Sequence, residues 1–319
     1  MKAIIYDKSQ APNSLTLQEI EKPVPNADEV LIKVLAVSVN AADYRSMKMG
    51  IVPKRKIYGS DVAGVIEEVG EHITKFKVGD EVFGDLATCG FGGFAEYTLA
   101  SENVLALKSK SVSFVNACAV PMAAVTALQG LRDQGNIQAG QKVLIYGAGG
   151  GVGTFAVQLA KHFGANVCAV CGTGNVEMVK SIGADTVINY HETDPLKNGQ
   201  LYDLILAVNG NNPISSYLRA LAPQGRCIVI GGALSQIFKI LAFGKLISLG
   251  RKKISVLSAK MNTQDLTFII QLVEAGKLTP VIDRLYPLEE IPEAVRYLSK
   301  GHARGKVVIQ VSQASDPTD

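Results

Sequence analysis

Lys142-Val-Leu-Ile-Tyr-Gly147-Ala-Gly149-Gly150-Gly151-Val-Gly153 passes from a short apolar run through a glycine-rich turn into a helix-patterned segment. Lys142 to Tyr146 reads as a strand. Beyond the turn, Phe155, Leu159 and Phe163 with Ala156 and Ala160 form one helical stripe, and Gly164 suits the C-cap; a helix is expected from about Gly151 to Phe163. Gly147, Gly150 and Gly153 stand at GxxGxxG spacing, while the commoner GxGxxG register from Gly147 would need glycine where Val152 stands. The order of strand, glycine turn, helix and second strand is the context in which such glycines admit a pyrophosphate. Small residues let the backbone approach, and the helix N-terminus offers unpaired N–H groups and a positive dipole end. A tight βα turn without a ligand is the plainer reading of the same residues.

Outward from this turn, apolar runs alternate with amphipathic stretches. Strands are expected at Lys142 to Tyr146, Asn166 to Val170, Thr186 to Asn189, Tyr202 to Val208, Arg226 to Ile230 and Ile254 to Ser258. Strands joined by helical crossovers make an α/β fold with a doubly wound parallel sheet. From Met1 to about Ala106 the pattern is different: short β-type runs at Lys2 to Tyr6, Glu29 to Ser38, Ala63 to Val69, Glu81 to Gly84 and Phe94 to Leu99, punctuated by Gly, Pro, Asn and Asp. That reads as an irregular, mostly antiparallel β domain. The C-terminal end adds a helix at Ile291 to Ser299, a strand at Lys306 to Val311 and a loose polar tail from Ser312.

A chain of 319 residues suits two domains, and 47% hydrophobic with 19% charged residues excludes disordered and small disulfide-stapled classes. The 32 basic and 29 acidic residues leave +3, scattered except at Lys54 to Lys56 and Arg251 to Lys253, so nucleic-acid binding has no compositional support. Five cysteines and a start, MKAIIYDKSQ, without signal or transit character point to the cytoplasm. Cys168 and Cys171 have redox-motif spacing, but in a strand that offset sends their side chains to opposite faces. The apolar stretch 237–249 is interrupted by Lys239, Gly244 and Lys245 and is too short for a membrane span. With the basic residues to 253 it suits a helix packed over a substrate cleft, or a weak contact with an anionic membrane surface. His72, His162, His191 and His302 are far apart in sequence and read as surface or packing residues.

The second strand of a NAD-binding domain normally ends in a carboxylate for the ribose hydroxyls. Here it ends Val170-Cys-Gly172-Thr173-Gly174-Asn175, with no carboxylate before Glu177. NADPH is favoured over NADH, although no Lys or Arg follows before Lys180.

Further segments carry a likeness: Asp28 to Lys33, Val37-Ser-Val-Asn40-Ala-Ala-Asp43, Gly59-Ser-Asp-Val-Ala-Gly64, Val78 to Gly84, Gly92-Gly-Phe-Ala-Glu96-Tyr97, Pro121 to Leu128, Gly183-Ala-Asp185, Gly231-Gly232 and Gly305-Lys306-Val-Val. In this order, and with the glycine turn, they resemble the medium-chain dehydrogenase/reductase superfamily over essentially the whole chain. The likeness is to its zinc-free quinone oxidoreductase-like branch, including the plant chloroplast-envelope quinone oxidoreductase homologues. It implies a GroES-like β domain from residues 1–121 with 263–319, a Rossmann domain at 122–262, and a homodimer paired through Ile254 to Ser258.

Where zinc-dependent relatives of this superfamily place Cys and His ligands, the chain has Asn40 and Ser60, and Cys89 stands alone where a structural zinc needs four cysteines. No metal is expected. Reducing an ordinary ketone without a Lewis acid leaves charge localised on one oxygen, whereas quinones and α,β-unsaturated carbonyls spread it. The resemblance therefore implies an NADPH-dependent quinone or enone reductase. It assigns Asn40 and Thr126 to the nicotinamide and substrate region, and Gly147, Gly150, Gly151, Val152 and Gly153 to the pyrophosphate. Gly172, Thr173, Asn175 and Tyr190 are assigned to the 2′-phosphate, and Gly231 and Gly232 to the nicotinamide. Tyr44 is the candidate donor to a substrate carbonyl, in a segment, Asp43 to Gly50, one residue longer than the common family spacing; a packed turn tyrosine is the bland alternative. The alternatives to the enzyme reading are a zinc-free dehydrogenase of another small carbonyl and a non-catalytic NADPH-binding sensor or structural protein.

Overall fold

A computed structural model describes residues 1–10, 14–247 and 250–312. In chain order the strands are β1 (Lys2–Tyr6), β2 (Leu15–Glu19), β3 (Glu29–Val39), β4 (Asp61–Val69), β5 (Glu81–Asp85), β6 (Tyr97–Ser101), β7 (Leu105–Leu107), β8 (Lys142–Tyr146), β9 (Asn166–Cys171), β10 (Thr186–Asn189), β11 (Tyr202–Val208), β12 (Leu221–Ile230), β13 (Lys253–Val256), β14 (Ile282–Pro287) and β15 (Lys306–Gln310). The helices are α1 (Ala41–Lys48), α2 (Phe114–Cys118), α3 (Pro121–Gln129), α4 (Gly151–His162), α5 (Val176–Ser181), α6 (Ile214–Ala220), α7 (Leu234–Ile247), α8 (Thr263–Glu274) and α9 (Ile291–Ser299). Two compact units result. One comprises Met1–Met122, Met261–Gly276 and the chain from Ile282; the other comprises Ala123–Lys260 and Lys277–Val281.

The first unit is built on a sheet of order β14-β15-β3-β4-β5-β7, with β6 pairing β3 and a separate β1-β2 hairpin. Pairing is antiparallel except between β14 and β15. The 11-residue β3 meets β4, β6 and β15, so its side chains are almost all covered, and Val30, Ile32, Val34 and Val37 join Val62, Ile66, Phe94 and Val307 in one apolar core. α9 adds Ile291, Ala294 and Val295, spaced along one helical face. β15 pairs Val307 with Val39, which brings Lys306 beside the residue that follows β3, Asn40.

The second unit holds a six-stranded sheet, all parallel, of order β10-β9-β8-β11-β12-β13. The order reverses between β8 and β11, and in such sheets ligands bind beyond the strand ends at that switch. β8 carries the glycine turn there. α4 buries Phe155, Ala156, Leu159 and Ala160, the stripe visible in the sequence. The largest departures from the expected strands are at β12, which starts at Leu221, at β13, which ends at Val256, and in the first unit at β6, which starts at Tyr97 rather than Phe94. Leu221 pairs with Tyr202 ahead of an irregularity that absorbs Pro223, Gln224 and Gly225, residues that read as a break. The sequence pattern predicts none of β2, β7, β14 and α8; β2 and β14 are mostly exposed and carry little apolar pattern. In α7, Ile240 is buried while Leu234, Phe238 and Leu241 face outward. Residues 248–249 of the apolar stretch, and the tail beyond Ser312, lie outside the described residues. No described helix is long and apolar enough to cross a membrane.

Candidate functional site

The chain leaves β8 and turns at Gly147, whose φ of +79° favours glycine. A Cβ on Gly153 would stand 2.1 Å from the Gly147 carbonyl oxygen, so α4 begins pressed against the strand end. Gly150 is different: an added Cβ would have only Gly147 O near it, at 3.7 Å. Packing within the protein does not demand glycine at that position. Gly150 is the N-cap of the 12-residue α4 and offers no side-chain cap, so the first-turn N–H groups of Gly151, Val152 and Gly153 stay available to an outside acceptor. Open space beside uncapped amides at a helix head fits a nucleotide pyrophosphate.

The loop after β9 closes over this turn. Asn175 lies against Gly149, where an added Cβ would meet its side chain at 2.7 Å, and its Oδ1 is buried with no hydrogen-bond partner. A ribose hydroxyl is the kind of donor that acceptor lacks. Asn189 Nδ2 donates to Thr173 Oγ1 at 3.0 Å and steadies the loop. Glu177, the first carboxylate after β9, pairs with Lys180 at 3.1 Å in solvent. A Cβ on Gly172 would meet Tyr190 Oη at 2.9 Å and His191 Nε2 at 3.6 Å, and the two rings lie 4.4 Å apart. Thus Gly147 to Gly153, Gly172, Thr173, Asn175 and Tyr190 come together as one surface. His191 is exposed, in keeping with the surface or packing role expected of it, and it lies beside Tyr190 just past β10.

In the first unit, Asn40 caps α1 at the end of β3 and is 6% exposed. Its backbone N–H donates to Asp43 Oδ2 at 2.7 Å. Lys306 Nζ donates to Asn40 Oδ1 at 2.6 Å and lies 3.5 Å from Asp61 Oδ2. Asp61 also accepts from the Ser38 hydroxyl at 3.0 Å and from the Met122 N–H at 3.1 Å. Asn40 Nδ2 faces the Ser60 hydroxyl at 3.4 Å and the Ser38 carbonyl at 3.5 Å. Asp43, Asp61 and Asp85 are all buried near this one ammonium. Burial pushes Asp43 up to about 7, and burial with the Asp61 charge does the same to Asp85. Burial also raises Asp61, against the pull of Lys306 and its hydrogen bonds. Sequence reading missed Lys306 and the three aspartates; the signal was a lysine opening the wholly apolar run Lys306-Val-Val-Ile, in a strand covered on both sides.

The donor set at Asn40 and Ser60 does not fit zinc. The Asn40 carbonyl already faces an ammonium, and Ser60 offers a hydroxyl where thiolate or imidazole would be needed. Tyr44 packs its ring on the apolar core, with Lys48 5.4 Å from the ring centre, and among the described residues no hydrogen bond joins its hydroxyl to the Asn40 network. Thr126 is buried in α3, and Gly231 and Gly232 turn the chain after β12 with φ of +63° and +107°. Gly232 lies against Gly210, where an added Cβ would stand 2.5 Å from the Gly210 carbonyl oxygen. Cys168 and Cys171 are free thiols whose buried positions raise both.

A glycine turn at the switch point of a six-stranded parallel sheet, in a chain with a separate β unit, is the architecture to be compared with known proteins. Two sequence families match it, "Alcohol dehydrogenase GroES-like domain" over residues 26–110 and "Zinc-binding dehydrogenase" over 182–309. The chain is 35% identical to the chloroplast envelope quinone oxidoreductase homolog of Arabidopsis thaliana, across 97% of this chain and 98% of that one. It is 32% identical to the chloroplastic NADPH-dependent alkenal/one oxidoreductase of the same plant, across 97% of this chain and 79% of the relative. The solved quinone oxidoreductase from Coxiella burnetii is similar at a TM-score of 0.88 and 30% identity, covering 98% and 99% of the two chains. The chain belongs to the medium-chain dehydrogenase/reductase superfamily, a family of oxidoreductases.

Proposed function

We propose that the chain is an NADPH-dependent oxidoreductase that reduces quinones or α,β-unsaturated carbonyls without zinc. The observation that carries this reading is the Lys306 ammonium on Asn40 Oδ1, which leaves N–H and O–H donors rather than a Lewis acid for a substrate oxygen. Donors of that kind suffice where conjugation disperses the developing charge. Bound NADPH supplies the hydride. Gly150 to Gly153 hold its pyrophosphate through backbone N–H groups, and Gly172, Thr173, Asn175 and Tyr190 surround the 2′-phosphate. Asn40 and Thr126 orient the nicotinamide, Gly231 and Gly232 offer it backbone groups, and Tyr44 donates to the substrate carbonyl. The quinone and alkenal/one relatives support the substrate class, and the five thiols suit the cytoplasm.

NADPH oxidation after exhaustive chelation, with a panel of quinones, enones and saturated ketones, tests the reading. Turnover of quinones or enones is expected; turnover confined to saturated ketones, or lost on chelation, removes it. Gly172 has φ of −81°, open to any residue, and a new Cβ there must displace only the hydroxyl end of Tyr190, 2.9 Å away, so Gly172→Asp places a carboxylate in the loop and should move preference toward NADH by about tenfold. The edge strand β13 pairs only with β12 among the described residues, and we place the homodimer contact there. Val256→Pro should then sediment as a monomer where the unaltered chain sediments as a dimer.

A further inference from the structure

We infer that Lys306 is a positioning residue, whose buried ammonium fixes which way the Asn40 carboxamide faces. The inference rests on the reading of Asn40 as part of the reaction site.

A primary ammonium can only donate, so the atom 2.6 Å from Lys306 Nζ must be the Asn40 oxygen. That choice sends Nδ2 toward Ser38 O and Ser60 Oγ. Without the ammonium the orientation loses its main determinant. Ser60 Oγ can donate or accept, and the Ser38 carbonyl contact, at 3.5 Å, is long for a hydrogen bond. Lys306 is itself fixed: β15 is paired with β3 and β14, its side chain is 3% exposed, and Asp61 supplies the counter-charge. Asp61 is held in turn by Ser38 and Met122. The series Met122 and Ser38 to Asp61, Asp61 to Lys306, Lys306 to Asn40 ends on the amide that is to meet the cofactor. Asp43 and Asp85 are the other titratable groups bearing on this ammonium.

The test is a mutant cycle on turnover. Lys306→Met alone would strand the Asp61 carboxylate and destabilise the unit, so it is combined with Asp61→Asn, which removes both charges. Expected is a loss of kcat of about tenfold in that pair. Asn40→Ala should cost about the same in the unaltered chain and nothing further on the Lys306→Met/Asp61→Asn background. A readout independent of activity is the buried ammonium itself, seen by NMR of 15N-lysine-labelled protein. Its slowly exchanging signal should vanish in Lys306→Met/Asp61→Asn and shift in Asn40→Ala. Unchanged kcat in the pair, additive losses, or no shift on Asn40→Ala overturns the inference. If the unaltered chain oxidises no NADPH with any quinone or enone, the functional reading fails and takes this inference with it; turnover with additive losses removes this inference alone.

Discussion

The polar centre of the β unit and the glycine turn of the parallel unit solve opposite problems. At Asn40 the chain buries an ammonium and three carboxyls, and stability there depends on each side chain finding its partner. At Gly147 to Gly153 almost no side chain takes part, and the groups on offer are backbone amides left over by a helix with no cap. Damage to the first centre should therefore appear in folding, and damage to the second can be confined to ligand binding. The two are separable by substitution.

The largest effect expected is on the β unit. Lys306→Met should cost about 3 to 5 kcal/mol in urea unfolding, because it leaves Asp61 buried without a counter-charge, and adding Asp61→Asn should recover much of the loss. A cost below ~1 kcal/mol would show that the ammonium is dispensable. The same centre fixes a pH dependence. Asp43 and Asp85 titrate at about 7 in the folded chain against an ordinary 3.8, so between those values the folded state holds protons that the unfolded state has released. Stability should fall as pH rises from about 4 to about 7 and level off above. Asp43→Asn should flatten that slope; a melting temperature that instead climbs through this range contradicts the burial of these carboxyls.

Two alanines sharpen the comparison within the glycine turn. Gly153→Ala drives a methyl to 2.1 Å from a carbonyl oxygen and should cost about 1 to 3 kcal/mol of stability. Gly150→Ala meets open space and should change stability by less than ~0.5 kcal/mol while weakening NADPH about tenfold in a fluorescence titration. Equal melting losses for the two variants would mean that the space beside Gly150 is not reserved for a ligand.

The same contrast explains what could be read in advance. The turn is local: glycine offsets within a dozen residues, a strand before and a helix after, so its chemistry shows in sequence order. The Asn40 centre joins residues 266 apart, and only the pairing of Val307 with Val39 brings them together. Nothing in the neighbourhood of Asn40 announces that partner. The expected start of β12 at Arg226 falls short for a related reason, since Pro223 and Gly225 signal a break that pairing to β11 carries through.

The smallest expected effect concerns His191, an exposed side chain beside the otherwise backbone-built turn. The loop Gly172 to Asn175 has no Lys or Arg, yet His191 Nε2 stands 3.6 Å from where a Cβ of Gly172 would be, next to Tyr190 Oη. A 2′-phosphate at this loop would meet the imidazole as hydrogen-bond donor or as cation. The ring is exposed, so the interaction is screened and is worth less than ~1 kcal/mol. His191→Gln, which keeps a donor and removes the cation, should weaken NADPH about threefold and leave NADH unchanged. Tyr190→Phe removes the neighbouring hydroxyl and should act in the same direction on NADPH alone. If both variants weaken NADH as much as NADPH, the two rings serve the shared adenosine part of the nucleotides, and the 2′-phosphate lies elsewhere.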